Sequence, residues 1–425
     1  MYRDEQGASM NGDRVILHCD MNAFYASVEL LGRPELAELP VAVCGDPKKR
    51  HGIILAKNEH AKRCGVTTAE TILQAKRKCP SLLLLRAHHD KYEQYCKRIN
   101  DIYARYTDLI EPFSIDESWL DVTASVQLFG EGEEIARKIK SVVKSELGLT
   151  QSVGVSWNKI FAKMGSEYRK PDAITVIDRE NYRDLLWPLP VRELFSVGRV
   201  TAEKLRNMGV RSIGDLALTD RRMLRTVFGK QGDVLYEYAN GLEDAPVRAA
   251  SERRKIKSMG NGVTFKRDLL GRDDILTALT ALADTVSGRL RKYGLRCGGV
   301  KIEVKDPDFK TISRQTRLPS PTNLADRIRD AAWGLMERSW SMNAPIRLIT
   351  VTGIDLVPED VSRQMNFLDD AGEDEERIET LERTVDRIRD KYGGAAIAYG
   401  RVIGNDIGIE LDEQREDEDT GRLQR

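Results

Sequence analysis

Apolar and polar positions follow two rhythms along the chain. VILHC (15–19) is an apolar run of strand length that ends at Asp20. FYASVELL then repeats at helical spacing until Gly32-Arg33-Pro34 stops it. LPVAVCG (39–45) and GIILAKN (52–58) read as further strands, and helical patterns follow at 58–64, 70–78 and 91–108. EPFSIDESWLDVT (111–123) predicts two strands around a tight turn. A helix at about 131–147, strand SVGVS (152–156), a helix over 158–168 and strand AITVI (173–177) complete the first block. Strands alternating with helices predict an α/β or α+β domain over roughly 1–178.

WPLPVREL (187–194) is a proline-punctuated connector, and 191–240 read as short helices separated by Gly198, Gly209, Gly214 and Gly229. VRAASERRKIKSM (247–259) is a basic linker that enters a strand. The pattern beyond it is strand, helix (272–293), two strands, helix (323–339) and strand (346–355), a β-α-β-β-α-β order. Within it VKIEVK (300–305) alternates Val300, Ile302 and Val304 with Lys301, Glu303 and Lys305, as a half-buried strand does. Ile378, Leu381, Val385, Ile388 and Tyr392 fall at a/d spacing on a last helix, a stripe expected to pack on the folded body. A charged tail occupies 411–425.

A chain of 425 residues predicts two to four domains. No apolar run approaches membrane-spanning length, and the six cysteines show no CxxC spacing. A soluble protein of a reducing cytoplasm is expected, without membrane, zinc site or disulfide framework. His88-His89-Asp90 reads as a surface turn rather than a metal site. The formal net charge is zero, yet residues 248–317 hold 17 Lys/Arg against 8 Asp/Glu, and 369–425 hold 9 against 18. The basic block points to a polyanion or to a solvated surface with equal weight.

Three carboxylates stand out. Asp20 closes one apolar strand, and Asp116-Glu117 sit at the predicted turn of SIDES. Charges beside core strands are costly unless paired or bound to metal. Adjacent strand residues face opposite ways, so Asp116 and Glu117 share a site only at a turn. Together the three make an oxygen-rich site for Mg²⁺, and two such ions can clamp a phosphoryl transfer. Asp121 carries no role in this reading.

LHCDMNAFYASVE (17–29), GIILAKNEHAKRCGV (52–66), EPFSIDES (111–118) and SVGVSWNKIFAKMGSEYRKPD (152–172) resemble, in order and spacing, the Y-family translesion DNA polymerases, the DinB or DNA polymerase IV subgroup above all. The resemblance runs over about 14–368. It implies that Asp20, Asp116, Glu117 and the Met21 carbonyl bind two Mg²⁺ per active site. It implies that Tyr25, with Phe24 beside it, is the steric gate against the ribose 2′-OH, and that Lys170 contacts the triphosphate. Asn22 stands where many members have a second aspartate, outside the metal set. Ala56, Glu59 and Lys62 replace the Thr, Tyr and Arg usual in the segment that faces the triphosphate. Lys62 can still pair with phosphate, though not as a fork, and Glu59 cannot donate to one. Lys57 and Asn58 are candidate substitutes.

FSVGRVTAEKLRNMGVRSIGDL (195–216) resembles a helix-hairpin-helix whose turn, Val197-Gly198-Arg199, presents N–H groups to a DNA phosphate; Ser196 replaces a glycine there. The basic second domain resembles the family's little finger, with Lys301, Lys305, Arg314 and Arg317 as candidate duplex contacts. QMNFL (364–368) resembles the peptide that docks on the bacterial sliding clamp through Gln364, Met365, Phe367 and Leu368.

The implied architecture is an α+β right hand. Its parts are a palm (1–21 and 87–178), small fingers (22–86), a helical thumb (179–246), a linker (247–257), the little finger (258–358), a clamp-binding linker (359–372) and a C-terminal helix with charged tail (373–425). The implied activity is Mg-dependent, DNA-templated, low-fidelity synthesis across lesions without proofreading, by a monomer using deoxynucleoside triphosphates. An inactive DNA-binding scaffold and a palm-type nucleotidyl cyclase are the rivals. Retention of all three carboxylates weighs against the first, and the DNA-binding motifs against the second.

Overall fold

The computed structural model describes residues 13–45, 52–252, 255–360 and 371–409, the side chains of 371–375 apart. The clamp-like peptide, with Gln364, Met365, Phe367 and Leu368, lies outside these residues. The chain forms two compact units that divide in sequence near residue 253.

The first unit opens with β1 (Ile16–Met21), α1 (Phe24–Leu30), β2 (Val41–Cys44), β3 (Ile54–Lys57), α2 (Glu59–Arg63), α3 (Ile72–Lys78) and β4 (Leu83–Arg86). It continues with α4 (His89–Tyr103), β5 (Ile110–Pro112), β6 (Glu117–Asp121), α5 (Val126–Phe129), α6 (Gly132–Leu147), β7 (Gln151–Ser156), α7 (Lys159–Tyr168) and β8 (Ile174–Val176). The helices α8 (Tyr182–Leu186), α9 (Arg199–Asn207), α10 (Ile213–Leu218), α11 (Arg221–Phe228) and α12 (Lys230–Ala239) follow. Five strands make a sheet in the order β5-β6-β1-β7-β8, and β3-β2-β4 make a small second one.

β1 is the centre of the larger sheet, antiparallel to both β6 and β7, and all six of its residues are buried. A strand covered on both faces reads as a continuous apolar run, which is what VILHC is. Leu17, Cys19 and Met21 pack with Ile99, Ile102, Ile135 and Ile139 of α4 and α6. Ile16 packs with Trp119, Ala162 of α7 and Val247 on the other face. Gly154 of β7 permits this second layer. A Cβ there would come 1.8 Å from the Ala162 carbonyl oxygen, so α7 could not lie so close. That approach brings Lys163 beside the end of β6.

The second unit runs β9 (Ser258–Leu269), α13 (Gly271–Lys292), β10 (Leu295–Lys305), β11 (Thr311–Thr322), α14 (Ala325–Ser339), β12 (Ile346–Pro358) and α15 (Ala371–Tyr392). Its sheet order is β11-β10-β12-β9, all antiparallel. The β-α-β-β-α-β expectation therefore holds. Val300, Ile302 and Val304 turn inward onto α13 and α14, in one core with Leu279, Leu282, Ile328 and Met336.

Two local expectations fail. His88-His89-Asp90 is not a surface turn: His89 and Asp90 open α4, and the His88 ring meets buried Glu29. Nor does the apolar stripe of α15 dock on the body. Leu381 and Tyr392 stay 62% and 66% exposed. The docked face is the charged one. Arg291 of α13 pairs with Glu382 and, at 2.6 Å, with Asp386; Arg389 pairs with Asp284 and Arg296 with Glu379, both at 2.9 Å. The side of α13 that meets α15 offers Asp284, Ser287 and Arg291, so complementarity there is ionic rather than apolar. Val402, Ile407 and Ile409, beyond the helix, supply the apolar contacts to the core instead.

Candidate active site

Antiparallel pairing places Asp20 of β1 opposite Glu117 of β6, so both side chains share one face at one end of the sheet. Asp116 sits in the turn just before β6. Its carbonyl accepts the Met21 N–H at 3.0 Å, and Phe113 N–H closes the turn on the Glu117 carbonyl at 2.9 Å. The turn thus frees Asp116 from strand alternation, as the sequence argument required. Ser114 Oγ donates to Asp116 Oδ1 at 2.7 Å.

The three carboxylates differ in electrostatics. Asp20 is only 4% exposed, and burial pushes its carboxyl up to about 7; Lys170 opposes this, while the charges of Glu117 and Asp116 add to it. Asp116 is raised as well, first by burial, against its Ser114 hydrogen bond, with Glu117 adding. Burial would also raise Glu117, but contacts with His18 and Lys163 overcome it and hold the group down to about 2. His18 is fully buried, and burial lowers it to about 4, so it is neutral at pH 7. Its Nε2 lies 3.4 Å from Glu117 Oε2 without a well-formed hydrogen bond, and its Nδ1 meets Ser166 Oγ at 2.8 Å. Lys163, its Nζ 2.5 Å from Glu117 Oε2, is therefore the cation that keeps Glu117 ionised. Lys163 is 7% exposed and lies over the Phe113 ring at 5.1 Å.

Lys170 Nζ sits 2.7 Å from Asp20 Oδ2. Two of the three carboxylates thus face ammonium groups. Among the described residues Asp116 has no cationic partner, and no three His, Cys, Asp or Glu side chains converge on one ion-sized point. The donors nevertheless suit a hard divalent cation. They are oxygens only, close enough for mutual charge repulsion, and burial makes their ionisation costly until a dication offsets it.

Tyr25 of α1 is half-buried, and its ring stacks on Tyr92 with centroids 4.0 Å apart at 12°. Tyr92 Oη donates to Glu29 Oε1 at 2.7 Å, so a buried carboxylate braces the stack. Burial and then the Asp116 charge raise the Tyr25 phenol. Phe24 faces the core at 3% exposure. Asn58 is used as a cap: its Oδ1 accepts from Ala61 N and Val41 N at 3.0 and 3.1 Å. Lys57 Nζ donates to Thr68 Oγ1 at 3.1 Å, and Lys62 pairs with Glu59 at 3.3 Å. Asp121 accepts from the Thr123 hydroxyl and N–H, a local structural role.

Val197 is buried, whereas Gly198 and Arg199 are exposed at the start of α9. Ser196 adopts φ +73°, the left-handed conformation that a glycine at this turn would take freely. On β10, Lys301 and Lys305 lie on the face turned away from α13 and α14. Arg317, opposite Gly299, shares that face, but Arg314 pairs with Ile302 and lies on the helix side of the edge strand. Lys301 also meets Glu303 at 3.0 Å.

Sequence reasoning missed His18 and Lys163. Both carried a signal: each is a basic side chain inside an otherwise apolar run, VILHC and IFAKM, where burial demands a partner.

The sequence matches the impB/mucB/samB family over residues 19–167 and that family's C-terminal domain over 256–367. Residues 192–243 match the thumb domain described for DNA polymerase-iota. A protein called DNA polymerase IV from Acetivibrio thermocellus is 43% identical over 391 residues, 92% of this chain and 98% of the relative. DNA polymerase IV 1 from Bacillus subtilis is 37% identical over 391 residues, 92% and 93% of the two chains. Among solved structures, the Y-family DNA polymerase chimera Dbh-Dpo4(243-245)-Dbh matches with a TM-score of 0.73 and 26% identity, covering 81% of this chain and 99% of that one. A sheet that gathers carboxylates at one strand end, with a helical segment that matches a polymerase thumb and a separate basic β-α-β-β-α-β unit, is the plan of a template-directed polymerase. The chain belongs to the impB/mucB/samB family, the Y-family of DNA polymerases.

Proposed function

We propose that the chain extends a DNA primer on a template using deoxynucleoside triphosphates, with Asp20, Asp116, Glu117 and the Met21 carbonyl holding two Mg²⁺ ions. The observation that carries this is the Asp20–Glu117 register pair, with Asp116 bonded through its main chain to Met21 at the same strand end. When bound, such ions stabilise the attacking and leaving oxygens of a phosphoryl transfer. Lys170 offsets part of the burial cost of an ionised Asp20 in their absence, then turns to the triphosphate and offsets charge on the leaving group. Lys163 keeps Glu117 ionised throughout. Tyr25, backed by Tyr92, lies under the incoming sugar and excludes a 2′-OH, with Phe24 behind it. Lys62 offers a further, weaker phosphate contact.

The larger sheet serves as palm, the small sheet within 22–86 as fingers, and the helices within 179–246 as thumb. Residues 247–257 are the linker, 258–358 the little finger, 359–372 the clamp-binding linker and 373–425 the C-terminal helix and tail. Val197, Gly198 and Arg199 approach a DNA phosphate, and Lys301, Lys305 and Arg317 grip the duplex backbone without reading sequence, whereas Arg314, on the opposite face, leaves that set. Gln364, Met365, Phe367 and Leu368 dock on a bacterial sliding clamp. Small fingers leave the templating base loosely enclosed, which suits synthesis across lesions at low fidelity. The protein acts as a monomer in the cytoplasm.

Primer extension by the wild type beside Asp116→Ala tests the reading: loss of extension in the variant is expected, and retained extension contradicts it. In the same assay Tyr25→Ala is expected to admit ribonucleotides; unchanged sugar discrimination removes the gate assignment alone.

A further inference from the structure

On the helical side of the second unit lies a cleft of about 270 Å³, lined by Arg272, Thr280, Arg329, Asp330, Trp333 and Arg401. It joins the first turns of α13, the middle of α14 and the chain that follows α15. Three guanidiniums in one cleft repel each other, yet each is held by a different device. Arg272 lies over the Trp333 ring at 5.0 Å, stacking that leaves its N–H edge free. Arg329 is tied to Asp326 at 2.6 Å and to Asp330 at 2.8 Å. Arg401 makes one bond, to Asp273 at 3.2 Å. Among the described residues Arg272 has no carboxylate partner. Arg329 is thus already matched by two carboxylates, whereas Arg272 keeps a whole fork open and Arg401 is held by a single long bond to Asp273.

We propose that this cleft is a phosphoryl-anion site, in which Arg272 and Arg401 grip the anion while Arg329 holds the Asp330 carboxylate that shares the cleft. The donor supply decides the ligand class. A carboxylate has two oxygens and is filled by one guanidinium fork, whereas a phosphoryl group offers oxygens in several directions and takes several forks at once. The phosphoryl group comes either from a free diphosphate or from the backbone of a nucleic-acid strand. The site is independent of the carboxylate cluster and of the sheet face that bears Lys301 and Lys305.

The test is calorimetric titration of the full chain with inorganic pyrophosphate in EDTA, which keeps divalent metal from the carboxylates. One pyrophosphate per chain is expected, and Arg272→Gln/Arg401→Gln should weaken it about tenfold or more, since two charge-assisted contacts are lost. Arg338→Gln/Lys310→Gln, which removes the same charge outside the cleft, should bind as the wild type does. Anisotropy of a labelled single-stranded oligonucleotide separates the two sources. Weakened strand binding in the cleft variant, with competition by pyrophosphate, assigns the strand backbone; unchanged strand binding assigns a free diphosphate. Absence of binding to the wild type, or equal weakening in both double variants, overturns the proposal. So does pyrophosphate binding that emerges only after removal of 410–425, which would give the cleft to the chain's own acidic tail.

Discussion

The two large sheets of this protein are built alike and place their charges differently. Both pack two helices against one face. The first gathers charges at one strand end, where buried Asp20 and Lys163 and half-buried Glu117 sit among Phe113, His18 and the close-lying α7. The second keeps its inner face apolar and spreads Lys301, Lys305 and Arg317 over the other face. Beside them Gly260 and Gly262 lie against Thr352 and Thr350 so closely that a Cβ would come within 2.5 and 2.3 Å of their hydroxyls. At those two positions the face is low, while Glu303 beside Lys301 is an acidic group among its cations. The difference teaches what each arrangement of charge can do. Buried charge at low dielectric is expensive and specific, which suits a reaction centre. Exposed charge on a flush surface is cheap, screened by salt and indifferent to sequence, which suits holding a polyanion.

The strongest test of this contrast is Lys163→Met. It strands Glu117, a half-buried carboxylate, without its cation and should cost about 3–5 kcal/mol of first-unit stability in chemical denaturation. Adding Glu117→Gln should recover most of that stability while primer extension stays lost. If Lys163→Met costs nothing, Glu117 is not held by it. Slightly smaller is Arg291→Leu in the second unit, which leaves Glu382 and Asp386 facing each other where α15 docks. A loss of about 3 kcal/mol is expected there, with cleavage of the α15 segment in limited proteolysis. Unchanged proteolysis would mean that Val402, Ile407 and Ile409 alone anchor the C-terminal region. The smallest effect belongs to Lys301→Ala/Lys305→Ala. Duplex affinity should fall evenly across sequences, and the log–log salt slope should drop by roughly one per phosphate contact removed. A sequence-dependent loss, or an unchanged slope, would take that sheet face out of DNA binding.

Much of this was legible beforehand because the relevant signals are local. The strand ending at Asp20, the turn that frees Asp116 and the alternation of VKIEVK follow from period and turn chemistry alone. What escaped depends on partners distant in sequence. Lys163 and His18 meet Glu117 through the approach of α7 that Gly154 permits, and no spacing rule contains that contact. The docking of α15 was misread because a/d spacing names an apolar stripe without naming what it faces. The opposing surface of α13 is ionic, and the helix turned accordingly. Arg314 looked equivalent to Arg317 in sequence, and only the β10–β11 register separates their faces.

The central claim is that Asp20, Asp116 and Glu117 converge to hold a pair of divalent ions once primer–template and nucleotide are in place. The direct measurement is a count of Mn²⁺ by electron paramagnetic resonance, on the full chain with primer–template, a 3′-deoxy-terminated primer and the matching nucleotide. Two bound Mn²⁺ per chain are expected for the wild type and fewer for Asp20→Ala or Asp116→Ala. The same count in wild type and both variants would contradict the account.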